Sequence, residues 1–171
     1  MNGKIIVIGL MLSGLIGGIT IYYLQVYGFY EPVTEAEVRL VSVVSGASEP
    51  ISIDSFEAID ADSSPIRFRA CFTTRLSLPT LAETYVGLDA ATPRNAPGWF
   101  DCFDARAIAA ELDAGTALPF LGQKNVKFGV DRIVAITEDG RGYVWHELND
   151  CGEKAYDGTI VGEECPKRDT E

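Results

Sequence analysis

The stretch DADSSPIRFR gathers side chains that could bind an ion. Asp60, Asp62 and Ser64 have the spacing of the first three ligands of an EF-hand calcium loop. Pro65 stands where such a loop needs glycine, and Cys71 stands where it needs glutamate. Calcium binding of the EF-hand type is therefore excluded.

The same stretch brings carboxylates close to arginines in a chain that is otherwise poor in cations. Arg67 and Arg69 could recognise a carboxylate or phosphate, because the planar guanidinium group suits such anions. Alternatively, Asp60 and Asp62 pair with these arginines in a purely structural salt-bridge cluster. Both interpretations predict that the four side chains lie together.

His146 is the one histidine of the chain and a second candidate for chemistry. A histidine can act as a general base, but no serine or cysteine lies in a recognisable nucleophile motif such as G-x-S-x-G. Strand alternation places His146 on the same face as Val144 and Leu148. We expect a histidine with satisfied hydrogen bonds in the core or at a sheet edge, and we identify no catalytic residue, metal ligand or cofactor.

Aromatic residues surround Cys102 in the segment PGWFDCF. Trp99, with Phe100 and Phe103, could anchor a partner, as aromatic residues do at interaction hot spots. Alternatively, these rings form the core beside a disulfide. The sequence leaves both interpretations open.

The chain has four cysteines, and all of them follow residue 30. An even number in an oxidising compartment indicates disulfides, and four cysteines allow three connectivities. We favour Cys71 with Cys102 and Cys151 with Cys165, because the second pair encloses the loop EKAYDGTIVGEE, which lacks core residues. No C-x-x-C motif is present, so neither a thioredoxin-like redox pair nor a zinc ribbon is indicated.

A stretch near the N-terminus is able to cross a membrane. Residues 5–24 read IIVIGLMLSGLIGGITIYYL and carry no charge. As an α-helix they span about 30 Å, the thickness of the hydrocarbon core of a bilayer. A signal peptide has a shorter apolar region and small residues at its cleavage site, whereas QVYGFYEP follows here. We therefore predict an uncleaved single-pass anchor in the lipid bilayer.

Small residues follow one side of this predicted helix. Gly9, Ser13 and Gly17 recur every four residues, and Gly14 and Gly18 form a G-x-x-x-G pair beside them. Such spacing lets a second helix approach closely, which predicts a homodimer or a membrane-protein partner. Glycine is also common in membrane helices, so the pattern can arise by chance, and the two interpretations stay open.

Charge sets the predicted orientation of the chain. Lys4 precedes the apolar stretch, and the positive-inside rule places residues 1–4 in the cytoplasm. Residues 25–37 are then a juxtamembrane linker, 38–165 an extracytoplasmic domain and 166–171 a mobile tail.

The part of the chain after residue 30 is acidic. It holds all 25 acidic side chains and 13 of the 14 basic ones, which gives a net charge of -12. Nucleic acid and anionic lipid need clustered lysine and arginine. The sequence therefore argues against nucleic acid as a partner.

The elements that position these residues are predicted from periodicity. Residues 38–44 are rich in valine, and 66–72 alternate apolar with polar side chains, so both segments are predicted strands. Residues 126, 128 and 130 also alternate, and EDGRG predicts a hairpin before the strand that carries His146.

Two helices are predicted between these strands. TLAETYV follows Ser77 and ends at Gly87, and ARAIAAELDAG begins after Asp104 as its N-cap. Strand and helix signals are interleaved without regular βαβ alternation. The prediction is an α+β fold, with one transmembrane helix followed by a single domain that has an antiparallel sheet and two short helices.

The segments YYLQVYGFYEP, AIDADSSPIRFRACF, APGWFDCFDA and GYVWHELNDCGE, in this order, resemble an uncharacterised family of single-pass, periplasm-facing proteins of alphaproteobacteria. The resemblance covers nearly the whole chain and includes all four cysteines. It implies a bacterial inner membrane with the domain in the periplasm, and it brings no activity. Such proteins are sometimes called histidine kinases, but His146 lies on a predicted strand and only about four residues would face the cytoplasm.

Three functions are compatible with the sequence. The first is a membrane-anchored periplasmic accessory, assembly or interaction protein without catalytic activity. The second is a periplasmic domain that binds a small anion through Arg67 and Arg69. The third is an envelope enzyme of unrecognised type, whose residues would include Asp60, Asp62 or His146.

Overall fold

The N-terminal apolar stretch forms one continuous helix. The computed structural model describes residues 3–35 and 37–167, so the first part of the predicted cytoplasmic N-terminus and most of the predicted tail lie outside the described residues. Helix α1 (Gly3–Tyr23) continues as a π-helical segment (Leu24–Gly28). Within the described residues, this helix is the one that is long and apolar enough to cross a membrane. None of its residues in α1 is buried by the rest of the chain.

The rest of the described chain folds around a six-stranded antiparallel sheet. Its strand order is β1-β4-β5-β8-β7-β6, and β2 and β3 form a separate two-stranded sheet. The strands are β1 (Glu31–Pro32), β2 (Arg39–Val41), β3 (Ser48–Pro50), β4 (Ser55–Asp60), β5 (Arg69–Thr73), β6 (Ala117–Lys127), β7 (Val130–Thr137) and β8 (Arg141–Leu148). Two short helices, α2 (Leu78–Thr84) and α3 (Ala105–Asp113), complete the fold. The predicted α+β class is confirmed.

The large sheet buries both of its faces, because apolar side chains occupy both alternating sets of positions in the central strands. On one face, Ala70 and Val144 pack with Leu40 of β2 and Leu81 of α2. On the other face a second core contains these residues: Tyr143, Trp145, Ile108 of α3, and Phe100 and Phe103 of the loop before α3. The sheet is thus the middle layer between two separate cores.

The helices begin at the residues that the sequence predicts. The Ser77 hydroxyl accepts a hydrogen bond from the Thr80 amide at 3.4 Å, and the Asp104 carboxylate accepts one from the Arg106 amide at 2.9 Å. Both are N-caps. Helix α2 does not extend to Gly87, because Tyr85 is already extended with φ -120° and ψ 156°.

Strand β6 is one of the strands, together with β3 and β4, that the sequence analysis did not predict. It contains Pro119 and Gly122, which normally argue against a strand. Proline is tolerated because β6 lies at the edge of the large sheet. Glycine is required because a Cβ at residue 122 would lie 2.9 Å from Val134 Cγ2 and 3.1 Å from the Arg39 carbonyl oxygen. The predicted alternation at residues 126, 128 and 130 is in fact divided by the β6–β7 turn, where Gly129 has φ +72°.

The segment predicted as a linker contributes to the fold. Residues 25–37 begin within the π-helical segment and include β1, in which Glu31 pairs with Asp60 and Pro32 with Ile59. The Val33 amide donates to the Ala58 carbonyl oxygen at 2.9 Å. The chain therefore enters the large sheet directly after it leaves the apolar helix.

Candidate functional site

The end of β4 borders a cavity of about 470 Å³. It holds three of the residues singled out from the sequence, Asp60, Asp62 and His146, together with two cations that were not singled out. Its polar and charged lining is formed by Asp60, Asp62, Ser64, Lys127, Arg132 and His146. A volume of this size accommodates a small metabolite.

His146 is fixed in one orientation at the wall of this cavity. Its Nδ1 lies 2.7 Å from the Pro65 carbonyl oxygen, which can only accept a hydrogen bond, so Nδ1 carries the proton. Its ring stacks on Phe68, with 5.0 Å between ring centroids. The expectation of a histidine with satisfied hydrogen bonds agrees with this geometry.

Arg132 is held beside His146. Its Nε donates to His146 Nε2 at 3.1 Å, and its guanidinium carbon lies 4.5 Å from the Phe68 ring centroid. Neither Nη atom donates a hydrogen bond to an acceptor within residues 3–35 and 37–167, yet neither is sealed from solvent. The side chain is therefore oriented by its Nε and its ring contact, while its two terminal amino groups remain available.

Burial lowers the pKa of both His146 and Arg132. Desolvation lowers the pKa of His146 from 6.5 to about 4, and the nearby cations Arg132, Arg69 and Lys127 act in the same direction. Desolvation also lowers the pKa of Arg132, and attraction to Asp60 opposes that shift. At neutral pH the histidine is uncharged, so Nε2 is an acceptor for Arg132. A cavity that holds such perturbed groups is a candidate binding site.

Arg69 is close to this cluster but is fully engaged within the protein. It is 4% exposed, and its guanidinium donates to four backbone carbonyl oxygens at 2.6–3.0 Å. These acceptors belong to Ile66, Phe68, Arg94 and Asn95. Desolvation lowers its pKa from 12.5 to about 10. The side chain ties the 94–95 loop to the start of β5, which leaves little capacity for an external anion.

Arg67 instead contacts residues at the end of the apolar helix and just after it. One Nη donates to the Gln25 side-chain oxygen, and its guanidinium carbon lies 5.6 Å from the Tyr30 ring centroid. The two arginines therefore do not converge on one site. Among the described residues, no ion pair joins Asp60 or Asp62 to either arginine, so the salt-bridge alternative is not observed either.

Trp99 contacts the same end of the helix. Its indole Nε1 donates to the Val26 carbonyl oxygen at 2.7 Å. Its ring stacks with Tyr27 at 6.2 Å and meets Tyr30 edge-on at 5.9 Å, measured between centroids. Phe100 and Phe103 instead lie in the core. We refer to Trp99, Arg67, Gln25, Val26, Tyr27 and Tyr30 as the juxtamembrane contact.

The cysteines form two disulfides. Cys71 of β5 is bonded to Cys102, and Cys151 is bonded to Cys165, which is the pairing favoured from the sequence. The first disulfide ties the loop before α3 to the centre of the large sheet. The second closes a peripheral loop in which Tyr156 is fully exposed and Ile160 and Val161 are more than half exposed.

The small residues of helix α1 are accessible in the monomer. Among the described residues, and apart from the neighbouring residues and backbone of the helix itself, no heavy atom lies within 4 Å of a Cβ built at Gly9, Gly14, Gly17 or Gly18. The Ser13 hydroxyl donates to the Leu10 carbonyl oxygen at 2.9 Å. A neighbouring helix could therefore approach this side, and its presence stays a prediction.

Sequence reasoning missed Arg132 and Lys127. A signal for Arg132 was present, because in VDRIVAIT it occupies the same alternating set as Val134 and Ile136, which are buried. A charge on the apolar face of a strand is unusual unless it has a partner or a role. Among the described residues, no group of three or more histidine, cysteine or carboxylate side chains could hold a metal ion.

The fold defines an α+β domain that follows one apolar helix long enough to serve as a membrane anchor or signal sequence. The chain belongs to a family of unknown function, DUF6446, whose profile matches residues 38–166. The comparisons with curated proteins and with solved structures find no match.

Proposed function

We propose that this protein is a non-enzymatic accessory or assembly component that stays anchored in a bacterial inner membrane and presents its α+β domain in the periplasm. The observation that carries this proposal is the juxtamembrane contact. It joins the end of the apolar helix directly to the folded domain through Trp99 and Arg67. A domain held in this way has a fixed orientation relative to the bilayer, which suits presentation of one surface to a membrane partner.

The same contact supports an uncleaved anchor over a cleaved signal sequence. Gln25, Val26 and Tyr27 contact the domain, and β1 begins at Glu31. Cleavage after the apolar stretch would separate these residues from the helix that positions them. Two disulfides within one domain are compatible with the oxidising periplasm.

Orientation is tested with reporter fusions. Alkaline phosphatase fused after residue 35 is expected to be active, because it folds only where its own disulfides form. The full-length protein is expected to sediment with membranes and to keep the mass of the uncleaved chain. An inactive fusion would reverse the assigned topology, and a shortened product in the soluble fraction would remove the anchor.

Partner binding is tested by crosslinking in native membranes, mild-detergent purification and mass spectrometry of the proteins that co-purify. The exposed regions tested for contact are the small-residue side of α1 and the apolar side chains of the Cys151–Cys165 loop. Gly14→Leu with Gly18→Leu disrupts the first, and Tyr156→Ser disrupts the second without touching the core. Loss of a stoichiometric partner with either variant supports the proposal, whereas recovery of the wild-type protein alone contradicts it.

A further inference from the structure

The cavity at the end of β4 contains an arginine whose surroundings differ from those of its neighbour Arg69. Both side chains are desolvated, and the pKa of each is lowered for that reason. Arg69 directs its guanidinium at four carbonyl oxygens. Within the part of the chain that the structure describes, Arg132 donates a hydrogen bond through its Nε alone, to His146, while its side chain lines the cavity.

The position of the Arg132 guanidinium is set by a chain of three contacts. The Pro65 carbonyl oxygen fixes the His146 tautomer, His146 Nε2 accepts from Arg132 Nε, and the Phe68 ring supports both groups. An oriented guanidinium with two free amino groups can bind a carboxylate or phosphate in bidentate fashion. Because its orientation precedes binding, little side-chain entropy is lost when a ligand arrives.

Two carboxylates line the same cavity as the two cations. Asp60 accepts a hydrogen bond from the Ala61 amide at 2.8 Å and attracts Arg132 electrostatically, although no ion pair joins the two among the described residues. Asp62 and Lys127 are exposed. Together the two cations and two carboxylates give the charged lining no net charge.

We propose that this cavity binds a compact zwitterion, with an anionic carboxylate or phosphate on Arg132 and Lys127 and a primary ammonium group on Asp60 and Asp62. A simple anion would leave the two carboxylates facing it, and a simple cation would face Arg132. Only a ligand with both charges compensates both the cations and the carboxylates of the lining. This site is separate from the juxtamembrane contact and does not depend on the proposed membrane role.

Two sources can supply this chemistry, a free amino acid or the ethanolamine phosphate headgroup of a phospholipid. We would titrate the full-length protein, in a neutral detergent, with L-alanine, L-serine and glycerophosphoethanolamine by calorimetry. Acetate, inorganic phosphate and ethylamine serve as fragments with a single charge. At least one zwitterion is expected to bind tenfold or more tightly than its fragments. Preference for an amino acid identifies a free metabolite, and preference for glycerophosphoethanolamine identifies a headgroup.

Variants locate the binding site. Arg132→Lys keeps the charge but loses the bidentate geometry, and Asp62→Asn removes an exposed carboxylate, so each is expected to weaken zwitterion binding at least tenfold. Lys127→Gln, at an exposed position, tests the second cation of the lining if Arg132→Lys does not fold. Arg75→Gln is the matched control, since Arg75 is exposed and pairs with Asp54 away from the cavity.

Two results would overturn the assignment. The first is that no zwitterion binds more tightly than its single-charge fragments. The second is that zwitterion binding is the same in the wild-type protein and in the Asp62→Asn and Lys127→Gln variants, since binding would then occur elsewhere.

Discussion

Arg132 Nε donates a hydrogen bond of 3.1 Å to His146 Nε2, so a cation depends on the neutral form of a buried histidine. His146 is 5% exposed, and its other ring nitrogen is bonded to Pro65. Protonation of Nε2 would remove the acceptor and place two positive charges side by side. The hydrogen bond that orients Arg132 at the cavity therefore depends on pH.

This coupling predicts that the domain loses stability as the pH falls from about 6.5 to about 4. The folded pKa of His146 is lowered to about 4, below its ordinary value of 6.5. Between these values the unfolded chain binds the proton more readily, so the stabilisation is complete above 6.5 and lost by 4. A shift of this size corresponds to at most about 3 kcal/mol. Urea denaturation at pH 7.0, 6.0 and 5.0 measures the free energy of unfolding.

The matched variant for that series is His146→Gln, whose side-chain amide can accept a hydrogen bond from Arg132 in place of Nε2 but does not titrate. Its free energy of unfolding should change little between pH 7.0 and 5.0, apart from the contribution of the carboxylates. Equal slopes for the wild-type and variant proteins would show that the buried histidine does not cause the loss.

Replacing Arg69 with an uncharged side chain of similar size should lower the free energy of unfolding substantially. Arg69→Met fills similar space but removes the donor from four carbonyl oxygens, of which that of Phe68 is in a buried hydrogen bond and the other three are in part-buried ones. Since an unsatisfied buried polar group costs about 1–3 kcal/mol, and partly buried groups cost less, we expect a loss of about 2–3 kcal/mol. Urea denaturation measures this loss. Arg75→Met, at an exposed ion pair, should change stability by less than about 1 kcal/mol, and similar losses for both variants would contradict the structural role of Arg69.

The sequence was informative where a side-chain pattern has one structural consequence. Asp104 and Ser77 cap the predicted helices, and the EDGRG segment forms the β7–β8 turn with Gly140 at φ +83°. Strand β6 was missed because Pro119 is acceptable only at a sheet edge, and edge position depends on strand order. Strand order in turn depends on pairings between distant residues, such as β5 with β8.

The same limit applies to the candidate site. Asp60, Asp62 and His146 were singled out by residue type, and the cavity brings them together because β4 and β8 both flank β5. Arg67 and Arg69 are two residues apart, but Arg69 lies in β5 whereas Arg67 precedes it. Their side chains therefore have different surroundings. The spacing of residues in the sequence does not show whether an arginine donates to carbonyl groups, as Arg69 does, or keeps its terminal amino groups available, as Arg132 does.

The two disulfides should contribute differently to stability. Cys71–Cys102 closes a loop of 31 residues between two parts of the core, and its loss through Cys71→Ser with Cys102→Ser should cost about 3–4 kcal/mol by loop-closure entropy. Cys151–Cys165 closes a peripheral loop of 14 residues, and the same change there should cost less than about 1.5 kcal/mol, because that loop can open without global unfolding. Denaturation of both double variants provides the measurement. Equal losses would contradict this difference.

Trp99→Ala should release the folded domain from the apolar helix without unfolding it. The change removes the hydrogen bond to Val26 and the ring contacts with Tyr27 and Tyr30. One hydrogen bond of about 1 kcal/mol and two aromatic contacts of about 0.5–1.5 kcal/mol each amount to roughly 2–4 kcal/mol. The ratio of docked to undocked protein should therefore fall roughly 30- to 1000-fold.

Chymotrypsin cleavage of the protein in lipid nanodiscs measures this release, since the enzyme cuts after Tyr27, Phe29 and Tyr30 only when the backbone at these residues can leave its helix and strand contacts and enter the protease active site. We expect faster cleavage at these residues in Trp99→Ala than in the wild-type protein, with an unchanged melting temperature of the domain. Trp99→Phe keeps a ring but lacks the N–H donor, so its cleavage rate should be intermediate. Val44→Ala, at a side chain 95% exposed and outside the contact, is the control and should not change the rate. Equal rates in the Trp99→Ala and wild-type proteins would mean that Trp99 does not hold the domain against the helix.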